Sequence, residues 1–136
     1  MSRITSGKTR DEVKRRAQYR CEYCLLPDNV ENYDSQVDHI LAPDQGGSDD
    51  LDNLALACFY CNNHKGRDFS TYDFETGEQV NLYNPRSQKW DEHFELQTTG
   101  EIHGKTPQGR ATQRLLNMNH PKRIELRATL LGKGLW

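Results

Sequence analysis

No apolar run in this sequence approaches the length needed to cross a bilayer, and the start, Met1-Ser2-Arg3-Ile4-Thr5-Ser6-Gly7-Lys8, lacks the apolar core of a signal peptide. No membrane partner is expected, and a reducing cytoplasm is the default setting. The chain also has no internal repeat, which sets stacked-repeat architectures aside. It lacks a strong net charge: 18 Lys/Arg against 20 Asp/Glu give −2, which does not by itself advertise a nucleic-acid binder. Apolar residues are only 34% and charged residues 28%, polar for a globular chain but still enough to fold, so wholesale disorder is not expected. At 136 residues the expectation is a single domain over 1–136, with a core of moderate size that a structural metal would support.

The charge that is present is unevenly placed. Residues 1–20 carry seven Lys/Arg against Asp11 and Glu12, residues 21–104 carry four basic and 17 acidic side chains, and residues 105–136 carry seven basic ones against Glu125. Basic ends flanking an acidic centre could meet phosphates, with Arg15, Arg16, Arg110 and Arg114 as candidates, or could be solvated helix faces. Cysteine is equally concentrated. All four fall in two pairs, Cys21-Glu22-Tyr23-Cys24 and Cys58-Phe59-Tyr60-Cys61. In a reducing compartment two distant Cys-x-x-Cys pairs are the usual way to present four thiolates to one tetrahedral Zn²⁺, rather than disulfides.

Between and after these pairs lies the stretch that carries chemistry. Val37-Asp38-His39-Ile40-Leu41 and Leu54 to Ala57 are short apolar runs around a Gly/Asp/Pro/Ser-rich connection holding Gly46-Gly47, the pattern of a hairpin with a long loop, and a helix is expected next. The order Asp-His-Ile, Gly-Gly, Asp-Asn-Leu, Cys-x-x-Cys-Asn-x-x-Lys-Gly resembles the HNH endonucleases, whose ββα-metal motif is a hairpin followed by a helix. His39, Asn53 and Asn62 fall on the three defining positions, the third being Asn rather than His. Leu82-Tyr83-Asn84-Pro85-Arg86, Trp90-Asp91-Glu92-His93-Phe94 and Thr106-x-x-Gly109-Arg110-Ala111-Thr112 resemble the C-terminal extension of small stand-alone bacterial members. The fold so implied is α+β: a zinc-stabilised ββα-metal core over about 10–68, with an N-terminal helix, and a hairpin-plus-helices extension over about 69–136.

The resemblance implies metal-dependent hydrolysis of DNA phosphodiester bonds, RNA being the other candidate nucleic acid. It makes His39 the general base, a role that the near-neutral pKa of a free imidazole suits. It places Asn53 to brace the loop or orient His39, and Asp38 and Asn62 to hold Mg²⁺ or another divalent cation through oxygen. His64 is a possible further ligand, although roughly 200° of helix separates it from Asn62. Lys65 and Arg67 are read as phosphate contacts, and Tyr23, Phe59 and Tyr60 as packing around the zinc knuckle or, where exposed, base-stacking rings. The alternative is a zinc-stabilised nucleic-acid-binding or adaptor module without cleavage, which would need the cysteines but has no use for Asp38, His39 and Asn62 together.

Elsewhere, Thr9 and Glu12 form a capping box for a helix from about Arg10 to Tyr19, with Val13 and Ala17 inward. A strand over Val80 to Tyr83, a hairpin around Thr98-Thr99-Gly100, a helix begun by Thr106-Pro107, and a last helix from Lys122 to Leu131 with Ile124, Arg127, Ala128 and Leu131 on one stripe complete the reading.

Overall fold

The computed structural model describes residues 6–136. They divide into two compact units: the chain up to Phe69 together with Asn84–Ser87, and Ser70–Tyr83 together with Gln88–Trp136. The class is α+β, with helices and, among the described residues, three antiparallel strand pairs. No described helix is long and apolar enough to cross a membrane.

The first unit contains α1 (Gly7–Arg16), β1 (Gln36–His39), β2 (Leu54–Ala57) and α2 (Phe59–Lys65). The sequence Leu54-Ala55-Leu56-Ala57 explains its layering. A strand sends alternate side chains to opposite faces, so this tetrapeptide makes one leucine face and one alanine face. The antiparallel register sets Val37 opposite Leu56 and Asp38 opposite Ala55. Leu54, Leu56 and Val37 pack with Val13 of α1 into a buried apolar cluster, with Ala17 against it. The alanine face takes α2, and its small side chains leave room for the polar groups described below. α1 begins earlier than its capping box suggests, because the Ser6 hydroxyl accepts from Thr9 N at 3.3 Å and so claims the N-cap. It ends at Arg16, before Gln18 and Tyr19, whose φ values of 56° and 60° no helix can include.

The second unit contains β3 (Ser70–Tyr72), β4 (Gln79–Asn81), α3 (Trp90–His93), β5 (Phe94–Leu96), β6 (Ile102–Gly104), α4 (Pro107–Leu115) and α5 (Pro121–Gly132). β3 pairs with β4 and β5 with β6. Thr106 caps α4 by accepting from Gly109 N. Phe94, Ile102, Ala111, Leu116 and Met118 are buried, and Tyr83 meets Phe94 edge-on at 5.3 Å. On α5 the buried positions are Arg123, Arg127 and Leu130; of the expected stripe Arg127 is buried, while Ile124, Ala128 and Leu131 are half-buried. Arg127 goes inside because its guanidinium finds acceptors there: it donates to Gly100 O at 2.6 Å, Met118 O at 2.5 Å and Asn119 Oδ1 at 3.3 Å.

Candidate functional site

The two Cys-x-x-Cys pairs meet inside the first unit. All four cysteines are buried and free of disulfides, and their sulfurs lie within 4.8 Å of one another. Cys24 Sγ and Cys58 Sγ are 3.8 Å apart. Zn–S bonds of about 2.3 Å in a tetrahedron put the sulfurs about 3.8 Å apart, far beyond the roughly 2.05 Å of a disulfide. Backbone amides already point at the sulfurs, Cys24 N at Cys21 Sγ and Cys61 N at Cys58 Sγ, each at 3.4 Å. Hydrogen bonds from Cys21, then from Cys58 and Cys61, hold the Cys24 thiol well below the usual range. Donor set, spacing and N–H contacts fit a structural zinc, closed to substrate because all four corners are thiolates.

On the hairpin, Asp38 and His39 look in different directions, as neighbours on a strand must. His39 lies on the leucine side, opposite Leu54. It is 6% exposed, and its Nε2 lies 2.8 Å from Oδ1 of Asp49, a residue 65% exposed by its side chain. Asp49 sits in the loop between the strands, and Asn53 fixes that loop. The Asn53 amide accepts from Leu41 N at 2.9 Å and donates to Leu41 O at 3.0 Å and Ser48 O at 2.7 Å. Gly47 permits this closure, since a Cβ there would stand 1.7 Å from Leu41 O and 2.9 Å from Asn53 Nδ2.

Asp38 points to the alanine face and is 4% exposed. Tyr23, fully buried, donates its hydroxyl to Asp38 Oδ2 at 2.8 Å. Lys65 Nζ, on a residue 2% exposed, lies 3.3 Å from Oδ1 and 3.2 Å from Oδ2, and donates also to His39 O at 3.1 Å and Ile40 O at 3.5 Å. Burial pushes the Asp38 carboxyl above its usual range, while the Lys65 ammonium and the hydrogen bonds from Tyr23 and Lys65 pull it down. Burial, and next the Asp38 charge, push the Tyr23 phenol well up, so it remains a donor. With both carboxylate oxygens engaged by an ammonium and a phenol, Asp38 as arranged does not fit a divalent cation. Asn62 is half-buried on α2, one turn before Lys65 and on the same helix face.

Residues 21–68 match the HNH endonuclease family model. No curated protein and no solved structure matches the chain. The HNH match and the cysteine cluster together are consistent with a zinc-stabilised small HNH protein, and they point to a nuclease or nucleic-acid-related function.

Within this HNH segment the structure brings His39, Asp49 and Asn53 to one side of the hairpin and Tyr23, Asp38 and Lys65 to the other. His64 stands apart: it is exposed, its Nδ1 lies 2.9 Å from Tyr60 O, and its ring stacks on Tyr60 at 4.2 Å. Lys65, expected at a phosphate, is instead sealed beneath the hairpin, since burying an ammonium requires the carboxylate and carbonyls it has found. Arg67 remains on the surface, paired with Asp44. Several of the expected phosphate arginines have internal partners. Arg16 donates to Leu51 O and Leu54 O. In the second unit Arg110 grips Asp73 with two nitrogens, and Arg114 donates to Thr71 Oγ1 and Tyr72 O while lying 3.8 Å over the Phe74 ring. Arg15 is exposed. Tyr23 is core, whereas Phe59 is exposed and stacks on Tyr33 at 4.6 Å. Asp49 carried no sequence signal of its own, being one of several acidic residues in the run Asp49-Asp50-Leu51-Asp52.

Proposed function

We propose that the protein is a metal-dependent HNH endonuclease that hydrolyses DNA phosphodiester bonds, with His39 as general base and zinc in a structural role. The observation that carries this reading is the His39–Asp49 pair, 2.8 Å apart at Nε2. A carboxylate that accepts from Nε2–H fixes the tautomer that leaves Nδ1 as the bare nitrogen and holds the ring in place. In hydrolysis Nδ1 removes a proton from water while the water oxygen bonds to phosphorus; the P–O ester bond opposite breaks, and the leaving oxygen takes a proton from solvent. A hard divalent cation, Mg²⁺ or a similar ion, would supply positive charge at the phosphate; of the two residues expected to hold it, Asn62 offers a side-chain oxygen, whereas the Asp38 oxygens are taken by Tyr23 and Lys65. Arg15 and Arg67, both exposed in the first unit, are the side chains we assign to DNA phosphates. This reading sets the protein in a reducing cytoplasm, where four thiols stay available to zinc.

The test is nicking of supercoiled plasmid with and without Mg²⁺ or Mn²⁺, by wild type and by His39→Ala. Wild type should nick only with the cation, and His39→Ala should lose that activity by a factor of about 10² or more while keeping its zinc and circular dichroism. Equal rates in the two proteins would remove His39 from the role. DNA binding without nicking by wild type, over a panel of cations and substrates, would support the zinc-stabilised binding module instead.

A further inference from the structure

We propose that a cleft in the second unit takes one unpaired base of a nucleic acid, guanine in preference to the other three. The inference deepens the nucleic-acid reading of the protein and rests on it. α4 packs against both hairpins of its unit, β3–β4 and β5–β6, and the cleft opens among the three. The helix contributes Arg110, Gln113 and Arg114, three and four residues apart and so on one face. The turn after β3 contributes Asp73, Phe74 and Glu75, and the β5–β6 hairpin contributes Gln97, Glu101 and His103. The volume is about 400 Å³, within the roughly 300–1,000 Å³ usual for small-ligand sites, a size for one base and not for a duplex.

The charges argue for a base and against a phosphate. Asp73, Glu75 and Glu101 set three carboxylates against the guanidiniums of Arg110 and Arg114, so the lining as a whole does not attract an anion. Arg110 uses Nε and Nη2 on Asp73 and Nε also on Glu75, and Arg114 uses Nη2 on Thr71 Oγ1 and Tyr72 O. This leaves Nη1 of both arginines as a donor without a protein acceptor among the described residues. Such donors suit the O6 and N7 acceptors of guanine, the commonest base edge that arginine reads. Glu101, exposed and held at Oε1 by Thr99 Oγ1 at 3.1 Å, suits the N1–H and N2–H donors on the opposite guanine edge. Adenine would turn its N1 acceptor to that carboxylate, and the pyrimidines lack N7. Phe74 supplies the stacking surface: it is 75% exposed, and the Arg114 guanidinium carbon, 3.8 Å over one side of the ring, steadies it and leaves the other side to a ligand.

The zinc-loaded full-length protein is titrated with the four deoxynucleosides, with deoxyguanosine monophosphate and with inorganic phosphate, and binding is read by calorimetry and by backbone amide chemical shifts. Deoxyguanosine should bind saturably, about tenfold more tightly than the other three, with shifts gathered on the residues of the cleft. The monophosphate should gain no more than about threefold and show little salt dependence, because no phosphate is neutralised, and inorganic phosphate should not compete. Phe74→Ala and Glu101→Gln, both at exposed positions, should each weaken binding about tenfold while circular dichroism and zinc content stay as in wild type. A DNA duplex carrying one unpaired guanine should likewise bind about tenfold more tightly than its fully paired counterpart, and that difference should vanish in both variants. Absence of saturable nucleoside binding, equal binding of all four, or competition by phosphate would overturn the proposal, and cation-dependent nicking by the same wild-type preparation would leave the nuclease reading standing. Binding of the free nucleoside with no preference for the unpaired guanine would assign the cleft to a free guanine compound and overturn its role on nucleic acid. Deoxyguanosine and unpaired-guanine binding by a protein that does not nick would support the cleft and remove the nuclease reading.

Discussion

Asn53→Ala isolates the loop that presents Asp49 to His39. The Asn53 side chain makes three hydrogen bonds, to Leu41 N, Leu41 O and Ser48 O, at 2.9, 3.0 and 2.7 Å. At about 0.5–1.5 kcal/mol each, and with the site only half-buried so that water can replace part of the loss, the substitution should cost about 2 kcal/mol of stability. That is a sizeable fraction of the roughly 5–15 kcal/mol that holds a domain together. Urea unfolding of the zinc-saturated protein, followed by circular dichroism, measures it as a lower midpoint at unchanged slope. Asn53→Asp should be worse than its near-identical shape suggests. It keeps the acceptor for Leu41 N but turns a carboxylate oxygen towards the Leu41 and Ser48 carbonyls in place of an N–H. Nicking by either variant should fall further than the unfolded fraction accounts for, because the loosened loop no longer holds Asp49 on His39. A midpoint shift equivalent to less than about 0.5 kcal/mol in both variants, with normal nicking, would refute the bracing role.

Metal analysis should find one zinc per chain, and Cys→Ser at any of positions 21, 24, 58 or 61 should lower its retention and unfold the first unit, as seen by loss of helical signal; full zinc content in the Cys58→Ser variant would contradict the four-thiolate site. The second unit should be acid-sensitive through Asp73, whose carboxyl Arg110 above all, and then Thr76 and the Glu75 amide, hold below the usual value of 3.8. A depressed folded-state pKa contributes stability that is present above 3.8 and is lost as pH falls towards the lower value. The Asp73→Asn variant should therefore show a flatter loss of stability below about pH 4 than wild type in a thermal-melt series, and parallel curves would dismiss the pair as a pH-dependent contact.

The ββα core was legible because its signals are local and periodic. The Leu-Ala alternation of β2, the run of Val37 to Leu41 and the fixed spacing of the cysteines each specify an element without reference to distant residues. The ends of elements were less so: Ser6 and Thr9 both carry capping hydroxyls, and geometry alone selects the first. Three-residue strands such as Ser70–Tyr72 are too short to show a period. The groups that surround the site were hidden for a different reason. Asp49 reaches His39 only after Asn53 and Gly47 have folded the intervening loop. Lys65 and Arg127 are buried against the ordinary preference of their side chains, and their partners are carboxylate and backbone oxygens that no hydrophobicity pattern records. His39, Asn53 and Asn62 stood out by their resemblance to the HNH motif positions, but which of their neighbours would touch them did not.

The family match stops at Asp68, but the unit that folds around it does not. The chain leaves after Phe69 and comes back at Asn84–Ser87, where Arg86 pairs with Glu22 and donates to Leu54 O. Glu22, in the middle of the first cysteine pair, uses its other oxygen to receive Leu56 N, tying the zinc knuckle to the edge of β2. A fragment ended at the apparent domain border would strand this carboxylate without its guanidinium and leave Arg16 as the remaining arginine on Leu54 O. The sequence motif and the compact unit that contains it therefore have different borders. Excision experiments guided by the motif alone would test a damaged protein, whereas a cut made after Ser87 would carry the returning arginine with it.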